Sequence, residues 1–132
     1  MTELFVYSLN KDENKNITKN FKVKEFSCKD GSDKIIIDLH LVDKLQFIRD
    51  YINKPIKIIS GYRTEKYNEQ VGGAKESYHV KGRAVDIQVD GFDIYKLAII
   101  AGMTGFSGIG IYEKQKFIHL DNREKLLLWE NK

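Results

Sequence analysis

One run of alternating residues limits most strongly what this chain can fold into. Apolar and polar side chains alternate over residues 84–90, as Val85, Asp86, Ile87, Gln88, Val89 and Asp90. A period of two predicts a β-strand with one buried face and one polar face. A sheet with one such open face is typical of antiparallel architectures. We therefore expect Asp86 to project from the polar face of a largely antiparallel sheet.

The other predicted elements are short. Apolar residues spaced three or four apart predict helices after the capping residues Asp38 and Asp93. Thr64 can cap a short helix that runs through Gln70. β-rich runs predict strands at residues 56–59, 109–112 and 117–121, and the last two are joined by a polar hairpin loop. No βαβ repeat is visible. The pattern predicts an α+β fold with a mostly antiparallel sheet flanked by helices.

Three segments receive weaker predictions. Residues 9–20 are almost all polar and are expected to form a loop. Residues 102–110 are rich in glycine and are expected to turn the chain. The apolar run of residues 126–129 is expected to pack onto the core.

Composition narrows the class of protein. A chain of 132 residues with 42% apolar residues predicts a single globular domain spanning residues 1–132. The 22 basic residues exceed the 19 acidic ones by only three and are scattered, which argues against a nucleic-acid partner. The lone Cys28 excludes an internal disulfide and a CxxC metal site.

The apolar runs also bear on location. None approaches the roughly 18 residues that a membrane span needs. The N-terminal residues lack a basic leader and a small-residue cleavage site. We therefore expect the protein to be cytoplasmic as made.

Two histidines and one aspartate are candidate metal ligands. His79 lies in a predicted loop, Asp86 on the following strand and His119 on a later strand. Two imidazoles and a carboxylate match the three-ligand pattern of catalytic zinc, which keeps one position open for water. Alternation along residues 117–121 places Asp121 on the same face as His119, where it could act as a general base or orient a ligand.

Longer motifs surround these residues. They are S-G-Y-R at residues 60–63, V-G-G-A at 71–74, S-Y-H-V-K-G-R-A-V-D-I at 77–87, G-I-G-I-Y at 108–112 and F-I-H-L-D at 117–121. Together they resemble the zinc D-alanyl-D-alanine carboxypeptidase family, and in particular its short phage- or prophage-type members.

The resemblance implies a fold shared with the hedgehog signalling domain and the DD-peptidases. It implies a zinc peptidase that cleaves bonds beside D-amino acids in bacterial peptidoglycan, either as a carboxypeptidase or as an endolysin-like endopeptidase. Zinc would be bound by His79, Asp86 and His119. Arg63 would hold a substrate carboxylate or the developing oxyanion, and Ser77 would help to bind substrate.

One position departs from the family. Several members carry an acidic general base three residues before the last histidine, where this chain has Lys116, which cannot accept a proton while charged. Asp121 is the expected base by strand geometry, and Glu113 is the alternative. If neither acts, the chain is a noncatalytic, metal-containing module that binds the cell wall or a protein.

A metal-dependent nuclease is a further alternative function, and the scattered basic residues give it little support. We expect a monomer. The resemblance implies that the protein is released to the wall during phage lysis or carried in a virion. The motifs do not separate a carboxypeptidase from an endopeptidase.

Overall fold

The computed structural model describes residues 2–132. Within that range the chain forms nine strands, four α-helices and a 3₁₀ turn at Val23–Phe26. In chain order the strands and α-helices are β1 (Leu4–Ser8), α1 (Leu9–Asp12), β2 (Asn16–Thr18), β3 (Phe21–Lys22), β4 (Lys34–Asp38), α2 (Leu39–Ile52), β5 (Lys57–Ser60), α3 (Glu65–Gln70), β6 (Ala84–Gln88), α4 (Ile94–Thr104), β7 (Gly108–Tyr112), β8 (Phe117–Asp121) and β9 (Leu127–Asn131).

The main sheet has five strands in the order β5-β6-β8-β7-β9. Its first three pairings are antiparallel, and β9 joins β7 in parallel. Two smaller antiparallel pairs, β1 with β4 and β2 with β3, lie outside this sheet. The α+β fold on a mostly antiparallel sheet is confirmed.

One face of the main sheet lies in the core. Val85, Ile87, Ile118 and Leu120 are each 0% exposed. They belong to the same buried cluster as the apolar stripes of α2 and α4. Because side chains alternate along each strand, the residues between them project from the opposite face. That opposite face is free of the two long helices and carries polar groups.

The predicted helix caps are confirmed. The side chains of Asp38, Thr64 and Asp93 each accept a hydrogen bond from a backbone N–H in the first turn of α2, α3 and α4. Such caps satisfy donors that have no partner within the helix. In residues 2–132 we find no helix with the length and apolar character needed to span a membrane.

Two of the weaker predictions are wrong in part. Residues 9–20 contain α1, which Ser8 caps, and β2, which pairs with β3. α4 continues through Gly102 to Thr104 and ends at Gly105, which has φ +108°. A glycine inside a helix costs only about 1 kcal/mol, so Gly102 does not end α4.

The prediction for residues 126–129 is also wrong. These residues enter the edge strand β9, and Leu126, Leu127 and Leu128 stay 69%, 48% and 63% exposed. Backbone pairing with β7 determines their position more than burial of leucine side chains. Trp129 alone turns a large side chain toward the polar face of the sheet, where it lies against Gly110.

A buried carboxylate links three distant segments. Asp38 is 0% exposed. Its Oδ1 accepts from the backbone N–H of Glu3 at 2.9 Å and of His40 at 3.1 Å. Its Oδ2 accepts from the Asn122 amide at 2.6 Å. The start of α2 is thereby tied to the N-terminal segment and to the residue after β8.

We expect Asp38→Ala to lower the free energy of unfolding by about 2–4 kcal/mol, because it removes a helix cap and leaves buried donors without partners. Urea denaturation measures this change. Asp43→Ala, at an exposed position of the same helix, should change it by no more than about 0.5 kcal/mol. Equal effects of the two substitutions would contradict a structural role for Asp38.

Candidate metal centre

All five strands of the main sheet contribute one residue to a row across the polar face. The pairing register sets Ser60 opposite Asp86, Asp86 opposite His119, His119 opposite Gly110, and Gly110 beside Trp129. Directly paired residues on one face have their Cβ atoms about 5 Å apart. The register therefore brings Asp86 and His119 into contact although they are 33 positions apart.

His79 enters the site from the loop between α3 and β6. Its Nδ1 lies 2.8 Å from the carbonyl oxygen of Gly61, and its Nε2 lies 3.3 Å from Asp86 Oδ1. A carbonyl only accepts hydrogen bonds, so Nδ1 carries the proton. In the neutral ring, Nε2 then presents a lone pair to Asp86.

His119 is held between two carboxylates. Its Nδ1 lies 3.0 Å from Asp86 Oδ1, and its Nε2 lies 2.7 Å from Asp121 Oδ2. Asp121 is 0% exposed, and the guanidinium of Arg123 donates to both of its oxygens, at 2.9 and 2.6 Å. A neutral imidazole has one N–H, so it can donate to only one of these carboxylates.

These contacts fit a cation. One ligand atom from each of His79, Asp86 and His119 lies within 4.8 Å of the other two. With Nε2 of His119 donating to Asp121, two imidazole lone pairs face the same buried carboxylate oxygen. That arrangement is repulsive unless a proton or a metal ion lies between the groups. Two imidazole nitrogens and a carboxylate oxygen are the donor set of catalytic zinc.

The pKa of Asp86 reflects the same crowding. Burial alone would raise it, but the hydrogen bonds and positive charge of His119 and His79 outweigh burial and hold the pKa well below its usual range. Asp86 is therefore ionised near neutral pH and available as a ligand.

The pKa values of the neighbouring pair move in opposite directions. Burial lowers the pKa of His119, but its hydrogen bonds to Asp121 and Asp86 raise it by more, so the pKa lies above its ordinary value. Burial raises the pKa of Asp121, but Arg123 and His119 lower it well below its usual range. A metal at Nδ1 of His119 must displace the proton that these carboxylates stabilise.

A cleft of about 500 Å³ opens beside the three candidate ligands. Residues that line it around His79, Asp86 and His119 include Arg63, Ser77, Tyr112, Phe117, Arg123 and Trp129. The cleft combines cationic, hydroxyl and aromatic groups. A cleft of this size can hold a ligand much larger than a bare ion.

Arg63 and Ser77, the two residues to which the resemblance assigns substrate binding, both line this cleft. Arg63 donates to Ser60 Oγ at 3.3 Å and to Asn68 Oδ1 at 3.1 Å, and its Nη2 is 3.7 Å from Asp86 Oδ2. Ser77 Oγ accepts from the backbone N–H of His79 at 3.1 Å. Ser77 thus helps to shape the loop that carries the first candidate ligand.

The two candidate bases lie apart from each other. Asp121 touches His119 at the nitrogen that faces away from Asp86. Glu113 accepts from the hydroxyl of Tyr95 at 2.7 Å and lines a separate cavity of about 530 Å³, together with Lys116. The structure does not bring Glu113 or Lys116 to the cleft.

The residues of the cleft that sequence reasoning missed include Tyr112, Arg123 and Trp129. The spacing of Gly108 and Gly110 on β7 signals that other groups approach this face, but it does not identify them. A Cβ at Gly108 would lie 2.0 Å from Asp121 Oδ1, and one at Gly110 would lie 2.3 Å from the indole of Trp129. Two glycines on one face of a strand indicate that other groups approach that face closely.

Comparison with known proteins decides the family. Residues 18–121 match a family model described as Peptidase M15. The chain belongs to the Peptidase M15 family. This membership confirms the resemblance to the zinc D-alanyl-D-alanine carboxypeptidases that the motifs carry.

Curated relatives of this Peptidase M15 chain include the peptidoglycan L,D-endopeptidase MepK of Escherichia coli (strain K12), 34% identical over 92 residues that cover 64% of this chain and 50% of that protein. The probable peptidoglycan L,D-endopeptidase MepK of Haemophilus influenzae is 36% identical over 74 residues, or 52% of this chain and 40% of that protein. The chain spans about half the length, or less, of these relatives.

We expect Gly110→Ala to displace Trp129, because the new methyl group would overlap the indole. Trp129 is the only tryptophan, so its fluorescence should shift to longer wavelength, with a loss of about 1–3 kcal/mol in unfolding free energy. Gly102→Ala is the control, since its Cβ would meet only Ile109 Cδ1 at 3.5 Å. An unchanged spectrum in Gly110→Ala would contradict the close approach of Trp129.

Proposed function

We propose that this chain is a zinc-dependent peptidase that hydrolyses peptide bonds beside D-amino acids in bacterial peptidoglycan. The observation that carries the proposal is the convergence of two imidazole nitrogens on the buried carboxylate of Asp86, beside a cleft of about 500 Å³. Membership of the Peptidase M15 family and the names of the relatives support the reaction class. In this proposal residues 1–132 act as a single, monomeric peptidase domain.

His79 Nε2, an Asp86 oxygen and His119 Nδ1 would hold the zinc. Bound zinc supplies a Lewis acid that lowers the pKa of a coordinated water to about 7 and polarises the scissile carbonyl. In each ring, the nitrogen that would not bind zinc makes a hydrogen bond. His79 bonds to the Gly61 carbonyl, and His119 bonds to the Asp121 carboxylate. Such outer partners set ring orientation and raise ligand basicity.

Arg63 is proposed to bind the substrate. Its side chain is 17% exposed, and its guanidinium lies next to Asp86 in the cleft. Hydrogen bonds to Ser60 and Asn68 hold it in place, so little side-chain freedom is lost when a ligand binds. A fixed guanidinium suits a substrate carboxylate or the negative charge that develops during hydrolysis. Ser77 lies on the same loop as His79 and completes this side of the cleft.

The geometry favours an orienting role for Asp121 over the general-base role expected from strand alternation. Its carboxylate is fully buried, and both oxygens are already bonded, to Arg123 and to His119. It meets His119 on the side of the ring that faces away from Asp86. We propose that Asp121 fixes the tautomer of His119 so that Nδ1 is free to bind metal.

The names of the relatives favour an endopeptidase, which cuts within the wall, over a carboxypeptidase, which removes a terminal residue. Both are named for L,D-endopeptidase activity on peptidoglycan. We extend that preference to this chain as part of the proposal. The resemblance to short phage-type members further suggests that the protein reaches the wall during phage lysis or within a virion.

We expect purified protein to bind about one zinc per chain and to release peptide fragments from peptidoglycan, with both lost in His79→Ala and His119→Ala. Elemental analysis and chromatography of soluble products measure the two properties, with and without a chelator. His40→Ala is the matched control, because His40 lies outside the cleft and contacts Glu3. It should keep both zinc and cleavage.

Two outcomes would contradict the proposal. A folded wild type that takes up no added zinc would contradict the metal site. Zinc binding without any release of fragments would contradict the peptidase and favour the noncatalytic binding module. Release of D-alanine alone would replace the endopeptidase with a carboxypeptidase.

We expect Asp121→Asn to weaken zinc affinity by about 10- to 100-fold, because the amide holds His119 less firmly than the carboxylate does. Cleavage should recover substantially when zinc is saturating. Competition with a chromophoric chelator measures the affinity. Unchanged zinc affinity together with a large loss of turnover at saturating zinc would instead support the general-base role.

A further inference from the structure

Tyr112 lies on the polar face of the sheet beyond the candidate ligands. It follows Gly110 by two positions on β7, so both residues project to the same side. Two residues of a strand span about 7 Å. Because Gly110 pairs with His119, the Tyr112 side chain starts about 7 Å along the cleft from the metal centre. Tyr112 lines that cleft.

Two contacts hold the Tyr112 ring. It stacks on Phe117, with 4.5 Å between ring centroids and an interplanar angle of 6°. Its hydroxyl oxygen lies 3.0 Å from Nε1 of Trp129. The phenol is therefore fixed both across its face and at its tip.

The hydrogen bond from Trp129 uses the Tyr112 hydroxyl as an acceptor and leaves its O–H free to donate. An indole N–H only donates, so the Tyr112 oxygen is the acceptor. Among residues 2–132, the Tyr112 O–H finds no acceptor of its own within hydrogen-bond distance. The cleft therefore contains a positioned, unused donor.

The position of this donor suits a peptide that lies across the site. Arg63 follows β5 on one side of Asp86 and His119, and Tyr112 lies on β7 on the other side. A peptide bound between them would have its reacting bond beside the metal ligands. Its backbone offers a carbonyl oxygen at every residue, which matches the free donor of Tyr112.

We propose that Tyr112 is a substrate-binding residue whose hydroxyl donates a hydrogen bond to a backbone carbonyl oxygen of the peptide, and that Trp129 positions that hydroxyl. This inference rests on the proposed peptidase function. It assigns the aromatic side of the cleft to substrate binding and leaves the metal ligands unaffected.

The first experiment compares Tyr112→Phe with wild type. The substrate is a set of soluble muropeptides released from purified peptidoglycan by a muramidase, and the enzyme is zinc-loaded. Loss of one neutral hydrogen bond should lower kcat/KM about three- to tenfold, mainly through a higher KM, at unchanged zinc content. Tyr51→Phe, at an exposed position on α2, is the matched control and should behave as wild type.

The second experiment tests the positioning role. Trp129→Phe keeps an aromatic ring and removes the indole N–H. It should weaken muropeptide cleavage in the wild-type background and have little further effect in the Tyr112→Phe background. Such a double-mutant cycle isolates coupling between the two residues. Independent, multiplicative effects would overturn the positioning role of Trp129.

A binding measurement separates this inference from the peptidase proposal. Calorimetric titration of the same muropeptides into metal-free protein, where no cleavage occurs, should show weaker binding by Tyr112→Phe than by wild type. That result supports the inference even if the zinc-loaded wild type does not cleave, an outcome that would count against the peptidase alone. Equal binding by the two proteins, or no binding by wild type, would overturn the role of Tyr112.

Discussion

The pairing register of β6 with β8 is the constraint on which the site depends. It sets Asp86 directly opposite His119, and the two side chains meet at 3.0 Å on the face that the long helices leave open. A shift of one residue in either strand would turn one of them into the core. Backbone hydrogen bonds therefore fix the positions of two of the three candidate ligands. His79 is added from a loop, which the carbonyl of Gly61 holds against the end of the same sheet.

The two faces of the sheet support each other. Burial of Val85, Ile87, Ile118 and Leu120 on one face stabilises the strands, so the other face can carry groups that are costly to bury. Those groups form a chain of polar contacts from Arg123 through Asp121 and His119 to Asp86, and each carboxylate in it has a partner. Removal of one member of such a chain leaves its neighbour buried without compensation. The same contacts that complete the candidate metal centre thus make it intolerant of change.

Much of this arrangement could be predicted because it depends on residues that are close together in the sequence. Alternation along the strands predicts which side chains share a face, and capping residues predict where α2, α3 and α4 begin. The rest depends on contacts between distant segments. Nothing near Trp129 in the sequence indicates that its strand runs parallel to β7, so its place beside His119 could not be foreseen. Nor does spacing reveal that Arg123 occupies both oxygens of Asp121, which changes the role that geometry favours for that carboxylate.

The order of strands places the candidate metal ligands and Trp129 on strands of different kinds. Asp86 and His119 stand on interior strands that are paired on both sides, whereas Trp129 stands on β9, which in the described sheet pairs only with β7. Interior strands tolerate little variation, since any change propagates to two neighbours. An edge strand can be lengthened, shifted or replaced while the remaining ladder stays intact. Substitutions on this edge strand can therefore change which ligands the cleft accepts, while the candidate metal ligands on the interior strands keep their positions.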